Sequence, residues 1–149
     1  MDYTGKTIAI GCDHGGYLLK LEVLKHLSER GIKYRDFGCD SLESVNYPIY
    51  AHEVCRAVQS GECVFGILLC GTGIGMSMAA NKHRGIRAAV CTDTFSARMT
   101  RAHNDCNVLC LGGRVTGFGL ALDIVDAYLD TDFIGGRHAE RIAAFEEFK

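Results

Sequence analysis

Short apolar runs alternate along this chain with longer stretches whose apolar positions recur at helical spacing. Thr7–Cys12 (TIAIGC) reads as a buried strand. Tyr17–Arg30 predicts a helix with Tyr17, Leu21, Leu24 and Leu27 on its buried face, and Gly31 placed to end it. Lys33–Phe37 reads as a second strand. Tyr47–Ser60 reads as a helix, with Pro48 in the first turn, where a missing N–H costs little. Val64–Cys70 (VFGILLC) shows no polar alternation and predicts a strand covered on both faces. Gly75–Lys82 is a short helix, Ile86–Cys91 a fourth strand, Thr94–Ala102 a helix, Asn107–Leu111 a fifth strand and Gly117–Leu129 a helix. A last helix, over about Arg137–Phe148, carries Ile142 and Phe145 on one side.

Repeated strand–helix alternation predicts an α/β fold: a three-layer α/β/α sandwich with a Rossmann-like five-stranded parallel sheet. The length of 149 residues suits a single domain over residues 1–149, with no internal repeat or linker. Net charge is −2, which leaves no broad basic face for nucleic acid and no polybasic tail for a membrane. No apolar run reaches the roughly 18 residues of a transmembrane helix. Met1–Lys6 is short and polar, without a signal-peptide pattern, so the expected compartment is the cytoplasm.

The eight cysteines are Cys12, Cys39, Cys55, Cys63, Cys70, Cys91, Cys106 and Cys110. An even count raises the question of disulfides. Cys12, Cys70, Cys91, Cys106 and Cys110 lie in or beside apolar runs, however, where a free thiol packs as a small hydrophobe. No CxxC occurs, which disfavours a thiol redox protein, and metal-ligand spacing is absent, so no zinc or other metal site is expected.

Open parallel sheets bind ligands outside the carboxyl ends of their strands. The 18 glycines cluster at such junctions. One is Gly11-Cys12-Asp13-His14-Gly15-Gly16, where Asp13 reads either as a helix cap or, with His14, as a ligand-facing group. Another is Cys70-Gly71-Thr72-Gly73-Ile74-Gly75, which lacks both the dinucleotide fingerprint and the P-loop lysine. Such a turn presents backbone N–H groups to an anion, a phosphate or a developing oxyanion. Cys70 at its entrance reads either as a core residue or as a reactive thiol. His103-Asn104-Asp105 closes a helix, with His103 suited to proton transfer or to capping. Arg137-His138-x-x-Arg141 opens the last helix, and its two arginines share a face that fits a phosphate or plain solvent. Arg114, after Gly112-Gly113, is a third candidate cation.

Taken in order, GCDHGG, NYP, CGTGIG, AANKHRGIRAAVC, HNDCNVLCLGGR and GGRHAER resemble the signature segments of the ribose-5-phosphate isomerase B family, over nearly the whole chain. That family includes allose- and galactose-6-phosphate isomerases. The resemblance implies an aldose–ketose isomerase of the non-oxidative pentose phosphate pathway. It would convert ribose 5-phosphate to ribulose 5-phosphate through a cis-enediolate, with no cofactor. It implies Cys70 as the proton acceptor and His103 as the ring-opening group. Asp13, His14, Tyr47 and Asn104 become substrate-binding residues. Gly71, Thr72, Gly73, Ile74 and Gly75 become the enediolate cradle. Arg114, Arg137 and Arg141 surround the phosphate, the last two from the C-terminal helix at about 137–148. Met76 stands where one branch of the family is expected to carry a glutamate base.

His103 ends a helix just before the fifth strand, so it should lie at the end of the sheet opposite Cys70. The family builds its sites between subunits. The expectation is therefore a homodimer or dimer of dimers in which His103, Asn104 and Arg114 act on the neighbouring subunit's site. Rival readings are an allose- or galactose-6-phosphate isomerase and, from another class, a nucleotide- or flavin-binding module.

Overall fold

The computed structural model of this chain describes residues 2–148; the terminal residues 1 and 149, including the Met1 of the polar N-terminal stretch, lie outside them. The elements are β1 (Thr7–Cys12), α1 (Tyr17–Glu29), β2 (Lys33–Asp36), α2 (Tyr47–Gln59), β3 (Phe65–Cys70), α3 (Ile74–Ala80), β4 (Ala88–Val90), α4 (Thr94–Asn104), β5 (Val108–Gly112), α5 (Phe118–Leu129) and α6 (Arg137–Glu146). The strands form one sheet in the order β2-β1-β3-β5-β4, with every neighbouring pair parallel. The chain steps outward from β1 to β2, then returns to build the other half from β3. The switch point lies between β1 and β3, so the loops after those two strands open side by side.

β3 is the centre of the sheet, and all six of its residues are buried. Strand alternation divides them between two cores. Ile8, Ile10, Ile67, Leu69, Leu109 and Leu111 pack under α1, α4 and α5. Ala9, Leu68, Cys70, Val108 and Cys110 pack under α2 and α3. These are the three layers the alternation predicts. Fully burying each large aliphatic side chain contributes about 1.5–3 kcal/mol, which makes the two cores the main stabilising term. α6 lies outside this scheme, beside α4, and buries none of its side chains.

Two details differ from the sequence pattern. The buried face of α1 is Leu19, Lys20, Val23 and Leu27, while Leu21 is exposed. Tyr17 and Leu24 pack at the margin of the core, half-buried, and Lys20 takes part of the buried face. Its ammonium is satisfied there by the Asp36 carboxylate at 2.8 Å and the Cys39 carbonyl at 2.7 Å. The fourth strand shrinks from Ile86–Cys91 to Ala88–Val90. It is an edge strand, and its flank is bonded elsewhere: Asn107 Oδ1 accepts from Arg87 N at 2.8 Å.

The β1 loop is pressed directly onto β3. A Cβ at Gly16 would overlap the Leu69 carbonyl, and backbone atoms cannot yield as a side-chain tip can. Gly16→Ala is expected to lower stability by about 2–3 kcal/mol. Urea denaturation measures this as a reduced midpoint; an unchanged midpoint would show that the loop has slack the packing does not allow.

Candidate active site

The carboxyl end of β1 turns at Asp13, whose N–H donates to the Leu69 carbonyl at 3.1 Å. Its Oδ1 accepts from the N–H groups of Gly15 (2.8 Å) and Gly16 (3.1 Å). Asp13 thus ties the turn before α1, while the helix cap itself falls at Gly16. The second carboxylate oxygen has no protein partner among the described residues. His14 is oriented by the 38–46 loop: the Val45 N–H donates to its Nδ1 at 3.2 Å. That bond requires a lone pair on Nδ1, so the neutral ring carries its proton on Nε2 and offers a donor there. Tyr47 opens α2 and lays its ring against Gly75, where a Cβ would stand 3.0 Å from Cζ.

Cys70 ends β3 beside this turn and is 5% exposed. The Gly73 N–H donates to its Sγ at 3.0 Å. Gly73 holds φ at 80°, the left-handed conformation that turns the N–H back toward the strand. The Ile74 N–H is taken by Thr72 Oγ1 at 3.2 Å. Among the described residues the N–H groups of Gly71 and Thr72 take no protein partner, and they remain available to an oxyanion. The loop after β5 grips this turn. Gly113 N donates to the Cys70 carbonyl at 2.8 Å and Arg114 N to the Gly71 carbonyl at 3.0 Å.

Arg114 therefore stands with Cys70 of its own chain, its Cδ 3.5 Å from the Cβ position of Gly71. The expectation groups it with His103 and Asn104, whereas it lies at the other edge of the sheet from them. It follows the carboxyl end of β5, and β5 is β3's neighbour in the sheet. Met76 is fully buried in the core under α3, and its thioether cannot accept a proton. The side chain that opens outward from this turn is Ile74, half exposed.

All eight cysteines are free and buried. Burial pushes the thiols of Cys55 and Cys91 up to about 12 and raises Cys12, Cys63, Cys106 and Cys110 as well. These six stay protonated and pack as hydrophobes. Cys70 differs in having a glycine turn and a backbone donor at its sulfur.

The other predicted residues gather at the opposite edge. α4 runs back from β4 to β5, which are parallel neighbours, so its last residues, His103 and Asn104, lie at the amino ends of the strands. The helix extends to Asn104 and is capped by Asp105 in left-handed backbone, φ 44°. α6 starts beside them: the His138 ring stacks on His103, centroids 4.1 Å apart and planes 5° from parallel. Arg137 and Arg141 flank that stack on the first turns of α6, and neither makes a side-chain hydrogen bond or ion pair among the described residues. Desolvation against its neighbours, then the positive charges of His103, Arg137 and Arg141, hold the His138 imidazole below its usual value. Two guanidiniums with no ion-pair partner among the described residues suit a dianion. A groove of about 1090 Å³ runs beside it, with Asn104, Arg87 and Glu146 on its walls.

The predicted residues thus form two groups. Asp13, His14, Tyr47, Cys70, the Gly71–Gly75 turn and Arg114 share the carboxyl edge. His103, Asn104, Arg137 and Arg141 share the amino edge. β5 alone puts on the order of 13 Å between the two edges, at about 3.3 Å per residue, far beyond hydrogen-bond reach. His138 was visible beside Arg137 in the sequence, but only the stack on His103 gives it a place in the cluster. Val45, which orients His14, carried no chemical signal at all. No group of three or more His, Cys, Asp or Glu side chains among the described residues is placed to hold a metal ion.

The profile of the ribose/galactose isomerase family matches residues 8–145. The ribose-5-phosphate isomerase B of Escherichia coli K12 is 53% identical over 139 residues, covering 93% of each chain. The solved ribose-5-phosphate isomerase B of Clostridium thermocellum superposes with a TM-score of 0.93 at 56% identity, covering 95% of both chains. A D-erythrulose-4-phosphate isomerase of Pectobacterium atrosepticum is 43% identical over 137 residues, covering 91% of this chain and 90% of its own.

The contrast among thiols has a direct chemical consequence. Brief alkylation of the native protein at pH 8 should modify Cys70 while sparing Cys55 and Cys91, as read by peptide mass mapping. Equal labelling of Cys55 and Cys70 would contradict the distinction.

Proposed function

Because this chain belongs to the ribose/galactose isomerase family, we propose that it interconverts ribose 5-phosphate and ribulose 5-phosphate, with Cys70 as the base. The observation that carries the assignment of the base is the Gly73 N–H directed at Cys70 Sγ, in a turn that leaves two further N–H groups free.

The steps follow from the groups in place. The substrate rests mainly as a closed furanose. His103 takes the proton of the anomeric hydroxyl and returns one to the ring oxygen as the C1–O4 bond breaks. The Cys70 thiolate then removes the C2 proton. The electron pair of that bond forms the C1=C2 double bond, and the charge moves to O1, where the Gly71 and Thr72 N–H groups can stabilise it. Returning the proton from Cys70 to C1, with the O2 proton passing to O1, gives the ketose. One base on one face serves both carbons. Asp13 accepts from a sugar hydroxyl and His14 donates through Nε2. Tyr47 and Asn104 line the sugar, and Arg114, Arg137 and Arg141 hold the phosphate. The phosphate does not react; its binding energy positions C1 and C2.

In one chain these groups cannot meet, because Cys70 and His103 lie at opposite edges of the sheet. A second copy of the chain supplies the missing edge. We assign the active form as a homodimer, alone or paired into a tetramer, with each site built from the carboxyl edge of one subunit and the amino edge of the other. His103, Asn104, Arg137 and Arg141 come from across the interface; Arg114 does not. The eight free thiols support a cytoplasmic location. No helix among the described residues is long and apolar enough to cross a membrane.

Relatives named for four- and five-carbon sugar phosphates both match nearly the whole of this chain, so sugar length is settled by assay. Measured side by side, kcat/KM should be highest for ribose 5-phosphate, above allose 6-phosphate, galactose 6-phosphate and erythrulose 4-phosphate. Cys70→Ala should lower kcat by about 10³-fold or more while inorganic phosphate still binds. Near-normal turnover of that variant would remove Cys70 from the mechanism.

A further inference from the structure

α6 carries Arg137, His138 and Arg141, and its apolar side, Ile142 and Phe145, is no more than half-buried. None of its side chains is buried, and Phe145 is 39% exposed. Yet a phosphate clamp loses its use if its helix can slide or turn. The structure therefore has to hold α6 by polar contacts, and the question is which ones.

One guanidinium joins α6 to the end of α4. Arg87 stands just before β4 with its side chain 20% exposed. Its Nε donates to the carbonyls of Asn104 and Asp105, both at 3.1 Å. Its Nη2 donates to Asp105 Oδ2 at 3.0 Å, and its Nη1 to Glu146 Oε1 at 2.8 Å. One side of the fork thus holds the cap that directly follows His103 and Asn104. The other side holds the last residue of α6. The cap is itself stiff. Asp105 is the one non-glycine residue with positive φ among the described residues. Its other oxygen accepts from Arg101 at 2.9 Å, and Arg101 is 3% exposed. Arg87 therefore ties α6 to a rigid point rather than to a loose loop. At the other end of α6, the His138 ring stacks on His103, and the Ile134 N–H donates to the Ala102 carbonyl at 3.0 Å just before the helix. Two separated attachments fix a helix in both tilt and rotation, where one would leave it free to swing.

We propose that Arg87 is a positioning residue for this isomerase: with Glu146 and Asp105 it latches α6 to the His103 end of α4 and so sets the phosphate arginines in register with the ring-opening histidine. The proposal rests on the reading of Arg137 and Arg141 as phosphate ligands. Arg87 itself is spent on protein acceptors and contributes through geometry.

Charge and geometry make opposite predictions for Glu146→Gln, which makes that variant the test. Removing a carboxylate near a phosphate site raises the local positive potential and, by charge alone, would lower KM. Breaking the latch raises it. For a partly exposed ion pair the expected rise is about 3- to 5-fold in the KM for ribose 5-phosphate and in the inhibition constant of inorganic phosphate, with kcat within about twofold. Arg87→Lys keeps the charge but loses the fork, so it should raise KM at least as far. Because both changes break one link, the double variant should be little worse than the worse single one. Arg137→Ala serves as the reference. If it raises KM while Glu146→Gln and Arg87→Lys do not, the phosphate reading stands and the latch is overturned. A lower melting temperature with unchanged KM, or a lower KM in Glu146→Gln, overturns the latch equally. If Arg137→Ala leaves KM unchanged, the phosphate reading fails and the latch falls with it.

Discussion

The direction of a parallel strand decides which residues of this protein can meet. Every strand in the sheet points the same way, so the loops that follow strands collect at one edge and the ends of the returning helices at the other. Cys70 belongs to the first group by ending β3, and His103 to the second by ending α4. Neither can change sides without unmaking the sheet. The reaction nevertheless needs a base at C2, a ring-opening group at the anomeric oxygen and cations at the phosphate. A chain that divides these between two edges is half an enzyme twice over. In the proposed homodimer, each half is completed by the other copy.

Within the carboxyl edge, precision comes from three loops packed backbone to backbone. The Asp13–Gly16 turn lies on β3, the Cys70–Gly75 turn lies beside it, and the loop after β5 bonds to both carbonyls at the entrance of the latter. Such contacts have no flexible side chain to absorb error, which is why glycines crowd there. They also explain how one thiol is set apart from seven others. The rest of the cysteines fill volume, and burial raises the thiols of six of them. Cys70 is equally close to the core, but it ends where a turned-back N–H meets its sulfur.

The parts of this design that were legible in the sequence are those set by local chemistry. β3 and β5 announced themselves through unbroken apolar runs, and the glycine turns through their spacing. Their neighbours in the sheet were not legible, because strand order depends on pairings far apart in the chain. Arg114 follows the fifth strand and so falls at the carboxyl edge, but only the adjacency of β5 to β3 puts it beside the Cys70 turn. The buried face of α1 was misread for a different reason. Lys20 looks like a surface residue until Asp36 and the Cys39 carbonyl are seen to satisfy its ammonium. The start of α3 turns Met76 into the core and leaves Ile74 outward, a difference that the glycine spacing of the turn does not show. At the amino edge the arginines stood out in sequence, but their pairing with the His103–His138 stack and the Arg87 contacts arises only when α6 folds back on α4.

The central claim is that each site takes Cys70 from one subunit and His103 from the other. Subunit mixing tests it most directly. Cys70→Ala and His103→Ala proteins, each inactive, are combined in equal amounts and allowed to exchange, with exchange confirmed by mass spectrometry of the intact assembly. Half of the dimers are then mixed, and each mixed dimer holds one intact site of two. The account predicts recovery of about one quarter of wild-type activity. If exchange is complete and activity stays at the level of the separate variants, both residues act within one chain and the shared site is wrong.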